Sequence, residues 1–149
     1  MTTNTFVKHN VGYNEYFIHQ WTISLLKNLS KKKDTNINIH IPKILTYDPI
    51  KKILTMQKIH GDNLSNIYGE NIETVPIKLI QIIRQLLDLL NQYLIDYIDI
   101  TGYNFMLDKN ENLWILDFEH AKCRNENDMT NPFLLEFING KLLWNPEFN

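Results

Sequence analysis

The sequence predicts an α+β fold in which a small mixed lobe is joined to a helical lobe. Three observations carry that expectation. Strand-like and helix-like runs follow in the order strand, helix, hairpin, long helix, loop, hairpin, helix. Two hairpin signals, residues 43–59 and 105–116, flank one long amphipathic run at 75–90. The 149 residues, 44% hydrophobic and 21% charged, suffice for one core or for two small lobes sharing a cleft, without disulfide or metal staples.

Thr5-Phe6-Val7-Lys8-His9 reads as a short strand. Asn14 is a good N-cap for a helix in which Phe17, Ile18, Trp21 and Leu25 recur at helical spacing, with Glu15 in its first turn. Residues 30–40 are polar, and Lys31-Lys32-Lys33 beside Asp34 reads as a solvated loop rather than a nucleic-acid patch. Lys43 to Tyr47 and Ile53 to Ile59 are apolar runs around Asp48-Pro49, a hairpin signal. His60-Gly61-Asp62 breaks the pattern, and Asp62 or Asn63 caps a short helix through Tyr68.

Pro76 suits the first turn of the long helix. Ile77, Ile80, Leu87 and Leu90, with Ile83 or Arg84 between them, mark its buried side. Leu79, Ile82, Leu86 and Leu89 widen that side, so the helix packs on more than one face. Ile95, Tyr97 and Ile98 form an extended piece, and Phe105 to Leu107 and Leu113 to Leu116 flank the turn Asp108-Lys109-Asn110-Glu111-Asn112. Thr130 caps a last helix that has Pro132 near its start and Gly140 past its end. The aromatic tail Leu142 to Phe148 either closes the core or covers a partner subunit, so a homodimer is one expectation.

Composition excludes several classes. A net charge of −2 gives no general affinity for nucleic acid. Cys123, the one cysteine, excludes an internal disulfide and a multi-cysteine metal site and reads as an inert thiol. The most apolar run is interrupted by Lys78, Gln81, Arg84, Gln85 and Asp88, which makes it amphipathic rather than membrane-spanning. With no signal-like N-terminal run, a cytoplasmic protein without membrane partners is expected.

The chemistry lies between residues 97 and 122. Asp99 and Asn104 flank one tight loop, and the hairpin after Asn104 returns the chain so that Asp117 lies beside that loop. A carboxylate, an amide oxygen and a second carboxylate converge. Mg²⁺ takes oxygen ligands, few of them from protein when phosphate supplies the rest. A carboxylate left off the metal can orient or deprotonate a hydroxyl. Asp99 or Asn104 alone would read as a turn-forming residue, and Lys8 alone as a snorkelling strand lysine. Glu15 alone would read as a helix-start acid. Asp117 after a strand as apolar as Leu113-Trp114-Ile115-Leu116 requires a partner. His120 is a lone histidine and a poor ligand candidate; His40 and His60 are loop residues without visible partners.

Asp99-Ile-Thr-Gly-Tyr-Asn104 resembles the D-x-x-x-x-N catalytic loop of the protein-kinase-like superfamily. Leu116-Asp117-Phe118-Glu119 resembles its metal-binding D-F-G with Glu for Gly, a variant similar to choline kinases and aminoglycoside-type phosphotransferases. "ILTMQKIHG", residues 53–61, resembles the strand entering the interlobe hinge, and "FVKH" followed by a helix with Glu15 resembles the strand lysine and its helix glutamate. The resemblance implies a minimal bilobal kinase-like domain over 1–149, with a reduced N-lobe at 1–59 and a reduced C-lobe at 60–149. It implies Asp99 as the group that orients the acceptor hydroxyl, and Asn104 and Asp117 as Mg²⁺ ligands. Lys8 would sit on ATP phosphate, held by Glu15. Met56 would be the gatekeeper, and the backbone of Gln57, Lys58 and Ile59 would meet adenine.

The implied activity is phosphoryl transfer from Mg-ATP to a small-molecule hydroxyl; the alternative is a catalytically impaired pseudokinase that binds a nucleotide or a partner. An unrelated α+β interaction domain is the third expectation. Only seven residues precede Lys8, too few for the two strands and glycine-rich loop that usually cover the phosphates. Tyr97 and Ile98 stand at the usual histidine and arginine positions, and no A-P-E follows Asp117, so peptide substrates are not expected.

Overall fold

The computed structural model describes residues 4–31 and 36–148, so most of the lysine run lies outside the described residues. Strand β1 (Thr5–Lys8) leads into helix α1 (Tyr13–Leu29), and the hairpin β2 (Ile44–Asp48) and β3 (Ile53–Gln57) follows. These strands form an antiparallel sheet in the order β1-β3-β2. A second sheet, in the order β4-β6-β7, joins β4 (Gly61–Asn63) to the hairpin β6 (Phe105–Asp108) and β7 (Leu113–Ile115). Helix α2 (Leu64–Tyr68) follows β4, and α3 (Ile77–Gln92) is the long helix. Strands β5 (Ile95–Asp96) and β8 (Lys122–Cys123) make a two-stranded ladder, and α4 (Pro132–Ile138) comes last.

The short strands β4 and β8 carry no periodicity and are found only by their pairing. Strand β4 approaches β6 so closely that a Cβ on Gly61 would lie 2.0 Å from the Leu107 carbonyl oxygen, which is why glycine stands there.

Three capping expectations are corrected or resolved. Helix α1 starts at Gly12 as N-cap, not Asn14. Asn14 lies within the first turn, and its Nδ2 donates to the Ala121 carbonyl at 3.0 Å. Asn131, not Thr130, caps α4, because its side chain accepts from Leu134 N while Thr130 Oγ1 donates to Asn91 Oδ1. At α2 the cap is Asn63, whose side chain accepts from Asn66 N. The buried face of α1 is Glu15, Ile18, His19, Thr22 and Leu25, whereas Phe17 stays 42% exposed and stacks on Tyr13. On α3, Leu79, Ile80, Ile83, Leu86, Leu87 and Leu90 are buried, but Ile77 in the first turn is exposed. Among the described residues no helix is long and apolar enough to cross a membrane.

The main core runs from Ile18 and Leu25 of α1 through the α3 leucines to Phe105, Phe118 and Trp144. A smaller cluster, Val11, Leu54 and Met56 with Tyr16, Ile44 and Tyr47, lies under the first sheet. The aromatic tail closes the core: Trp144 is buried and stacks on Phe105.

Two chain segments cross between the sheets. One is the 58–60 stretch from β3 to β4. The other is the 36–43 stretch between α1 and β2, where His40 N donates to Leu113 O at 2.8 Å and Ile115 N donates to His40 O at 2.9 Å. The first of these in the chain, 36–43, also bonds the end of β3, since Gln57 N donates to Lys43 O at 2.8 Å and Lys43 N donates to Gln57 Oε1 at 3.1 Å.

The β6–β7 turn is organised by Asp108. Its Oδ1 accepts from Asn110 N and Asn112 N, and its Oδ2 from the Trp114 indole and the Asn112 amide. Desolvation alone would raise the acid, but these bonds, the indole's foremost, hold it down at about 2 against an ordinary 3.8. A depressed carboxyl stabilises the fold fully above the unfolded value and loses that contribution as pH falls through the folded one. Stability therefore drops between pH 3.8 and about 2. In Asp108→Asn, acid denaturation followed by tryptophan fluorescence should be flatter across that window and start from a less stable fold at neutral pH.

Candidate active site

Strand β1 brings Lys8 to the inner end of its sheet, and α1 packs behind it with Glu15 buried in the first turn. Lys8 Nζ lies 2.6 Å from Glu15 Oε2 and 2.9 Å from Asp117 Oδ1. One lysine thus bridges the strand, the helix and the segment after β7. Burial would lower the Lys8 ammonium, yet its bonds to Glu15 and Asp117 win and leave it above its ordinary value. The Glu15 carboxyl is also raised: burial and the nearby Asp117 and Glu119 charges outweigh its bond to Lys8. Lys8 thus bonds two carboxylates, Glu15 and Asp117, which leaves the pairing with an excess of negative charge.

Asp117 takes a left-handed backbone conformation at φ 58°. For a residue with a Cβ this costs about 1–3 kcal/mol and persists only where the surroundings enforce it. They do so here. Leu116 N donates to Asn104 O at 2.8 Å, Tyr97 OH donates to Leu116 O at 2.6 Å, and Phe118 is fully buried against His19 and Tyr97. The turn drives Phe118 inward and leaves the Asp117 carboxylate on the cleft side, where its Oδ1 also accepts from Glu119 N. Burial first, then the Asp117 and Asp99 charges, push the Tyr97 phenol well above its ordinary value, which keeps the O–H on the donor side.

Asn104 ends a single 3-10 turn, Gly102–Asn104, before β6. Its Nδ2 donates to the Asp99 carbonyl at 2.9 Å, which anchors the amide by its nitrogen and leaves Oδ1 without a partner among the described residues. Gly102 packs that turn closely on α2: a Cβ there would displace Ser65 Oγ, 2.2 Å away, and lie 3.1 Å from Ser65 N.

A cleft of about 400 Å³ opens between the sheets. Lys8, Glu15, Asn104 and Asp117 line its polar end, and Met56, Gln57, Lys58 and Ile59 line the rest. Among the described residues the Ile59 amide has no partner, whereas Lys58 N donates to Asn4 O at 2.9 Å. Asp99 is not on the cleft wall; it sits behind Asn104, buried, with Oδ2 3.1 Å from His120 Nδ1. Among the described residues no group of three His, Cys, Asp or Glu side chains forms a protein-only metal site. The donor set that fits Mg²⁺ is instead Asn104 Oδ1 with the Asp117 carboxylate, two hard oxygens suited to a metal that takes its other ligands from phosphate and water.

The cleft holds residues that sequence reasoning passed over. His19 lines it beside Pro42, whose carbonyl meets His19 Nε2 at 2.8 Å; burial holds the imidazole below its ordinary value. Tyr103, also on the wall, donates to Glu70. His120, weighed in the sequence only as a poor ligand candidate, lies off the cleft wall beside Asp99.

No protein-family model matches the chain, and no curated protein matches it. Its fold is similar to that of the kinase PK-1 of the Cydia pomonella granulovirus, with a TM-score of 0.58 at 15% identity. The likeness covers 85% of this chain and 46% of that one, so the chain spans less than half the length of that kinase. An identity so low speaks for the fold alone, and the fold is kinase-like.

Proposed function

We propose that this domain binds Mg-ATP and transfers the terminal phosphoryl group to the hydroxyl of a small molecule. The observation that carries the reading is the meeting of Lys8, Glu15, Asn104 and Asp117 at one end of the cleft, drawn from four separate parts of the chain. In this reading residues 1–59 form the nucleotide-covering lobe and 60–149 the lobe that holds the acceptor.

The adenine edge meets the Ile59 amide and its neighbours under Met56. Lys8, aimed by Glu15, offsets phosphate charge. Asn104 Oδ1 and Asp117 hold Mg²⁺, which when bound neutralises the charge on the nucleotide phosphates. Asp99 orients the acceptor hydroxyl and takes its proton. Catalysis of this kind is chiefly positioning and electrostatics. Glu119, in place of the glycine of peptide-directed kinases, supports a small-molecule acceptor.

Thermal melting with ATP, with and without Mg²⁺, tests the site. A ligand at a hundred times its dissociation constant adds about 2.7 kcal/mol. Asp117→Asn should abolish the Mg²⁺-dependent part of the shift and leave the nucleotide-free protein folded. No shift at millimolar ATP with Mg²⁺ would remove the nucleotide site.

A binding module without turnover is the second reading. One contact favours it: Lys8 Nζ rests directly on Asp117 Oδ1, so the phosphate lysine and a metal ligand occupy each other. Normal Mg-ATP binding with no transfer to any acceptor would select it.

A further inference from the structure

We propose that His120 is a positioning residue for Asp99, and that the C-terminal tail holds its ring in place; this rests on the phosphotransferase reading above. The loop around Asp99 is gripped at successive residues. Asn145 Nδ2 donates to Ile98 O at 2.8 Å, and Asn145 N donates to Ile100 O at 2.8 Å. Asn104 Nδ2 donates to the carbonyl of Asp99 itself. The backbone of Asp99 is thereby fixed on both sides, but an aspartate's last torsion is soft and roughly two-fold, so a fixed backbone does not aim the carboxylate.

His120 supplies the missing constraint. Its Nδ1–H donates to Asp99 Oδ2 at 3.1 Å, which leaves Oδ1 without a partner among the described residues. The imidazole arrives there because the chain turns after Phe118: Ala121 N donates to Phe118 O at 3.1 Å, and the Ala121 carbonyl accepts from Asn14. The Phe148 ring packs on the imidazole at 4.8 Å between centroids, and Phe148 N donates to the Asn145 carbonyl. One short tail therefore supports both the backbone of the loop and the histidine that aims its carboxylate. The His120 side chain is 44% exposed, against 12% for Asp99, so the histidine itself buries little and its worth lies in the bond it donates.

In the transfer step the acceptor oxygen forms a bond to the γ-phosphorus as the bond from that phosphorus to the β,γ-bridging oxygen breaks. The bridging oxygen leaves with the electron pair as part of ADP. The hydroxyl proton passes to Asp99 Oδ1, while the His120 Nδ1–H stays on Oδ2 and keeps the carboxyl in line.

The test compares His120→Leu with His120→Asn in the full chain, since asparagine places an N–H donor where the imidazole Nδ1–H stands. His120→Leu should lower kcat roughly tenfold to a hundredfold, by analogy with removing the hydrogen-bond partner that orients a metal-ligating side chain. The KM for ATP and the Mg-ATP melting shift should stay unchanged, and His120→Asn should restore most of kcat. Nitrogen NMR of the imidazole gives a readout that needs no turnover: His120 should carry its proton on Nδ1, and lose that preference in Asp99→Ala. Equal kcat in wild type and His120→Leu, a loss that asparagine does not rescue, or an Nε2–H tautomer each overturns the role. A wild type that binds Mg-ATP but never transfers phosphate overturns the phosphotransferase reading and this role together; turnover indifferent to His120 overturns this role alone.

Discussion

Asp99→Asn is expected to lower ATP-dependent phosphorylation by about two to four orders of magnitude, the usual worth of a positioned general base. The melting shift caused by Mg-ATP should match the wild type. The separation follows from where Asp99 sits. It lies behind Asn104, off the cleft wall, and touches neither Lys8 nor Asp117. Asparagine keeps the size of the side chain and can still accept from His120, so the loop should hold its shape. What disappears is the anion that attracts and accepts the hydroxyl proton. ATP consumption over a panel of amino alcohols, sugars and aminoglycosides measures the effect, and the acceptor that accelerates the wild type names the substrate class. Equal rates in the two proteins, with normal Mg-ATP binding, would strip Asp99 of its role.

The second large effect is on stability. Trp144→Ala should cost about 3–5 kcal/mol, the range for truncating a large buried aromatic. Trp144 is 2% exposed, stacks on the fully buried Phe105 at 6.3 Å, and belongs to the main core. A domain of this size has a total stability of about 5–15 kcal/mol, so this single truncation removes a large share of it. Trp144→Phe should cost far less, for two reasons. It keeps a ring on Phe105, and it deletes an indole N–H that has no partner among the described residues. An unsatisfied buried donor costs on the order of 1–3 kcal/mol. Urea unfolding of both variants reads the difference; a loss below about 1 kcal/mol for alanine would place Trp144 outside the core.

Asn104 and Asp117 share one cleft because a loop and one hairpin, both local in sequence, tie them, whereas the Asp99 carboxylate faces His120 off the cleft wall. Lys8 and Glu15 were legible for a similar reason, a strand followed at once by a helix. His120 was not, because its partner lies 21 residues away and a lone histidine has many bland roles. Asn14 misled because the side chain that caps helices serves equally well in a long-range bond, here to Ala121. The buried face of α1 was misread for a physical reason too: Glu15 is inside because Lys8 pairs with it, while Phe17 is outside beside Tyr13. Apolar periodicity assigns those two residues the other way round. Strands of three and two residues, such as β4 and β8, are too short to show any period.

The two crossings between the sheets have a mechanical meaning. Two connections side by side define an axis about which one half can turn against the other. Here the 36–43 stretch is stitched to β7 through His40 and to the end of β3 through Lys43 and Gln57, while the 58–60 stretch leads from β3 to β4. His40, bonded to Leu113 and Ile115, and α1, with Ile18 and Leu25 in the main core, belong with the second sheet, so any turn of the first sheet falls on residues 41–43 and 58–60. A guest at the polar end of the cleft meets Lys8 already paired with Asp117, and Lys8 leaving Asp117 is one motion that makes room there.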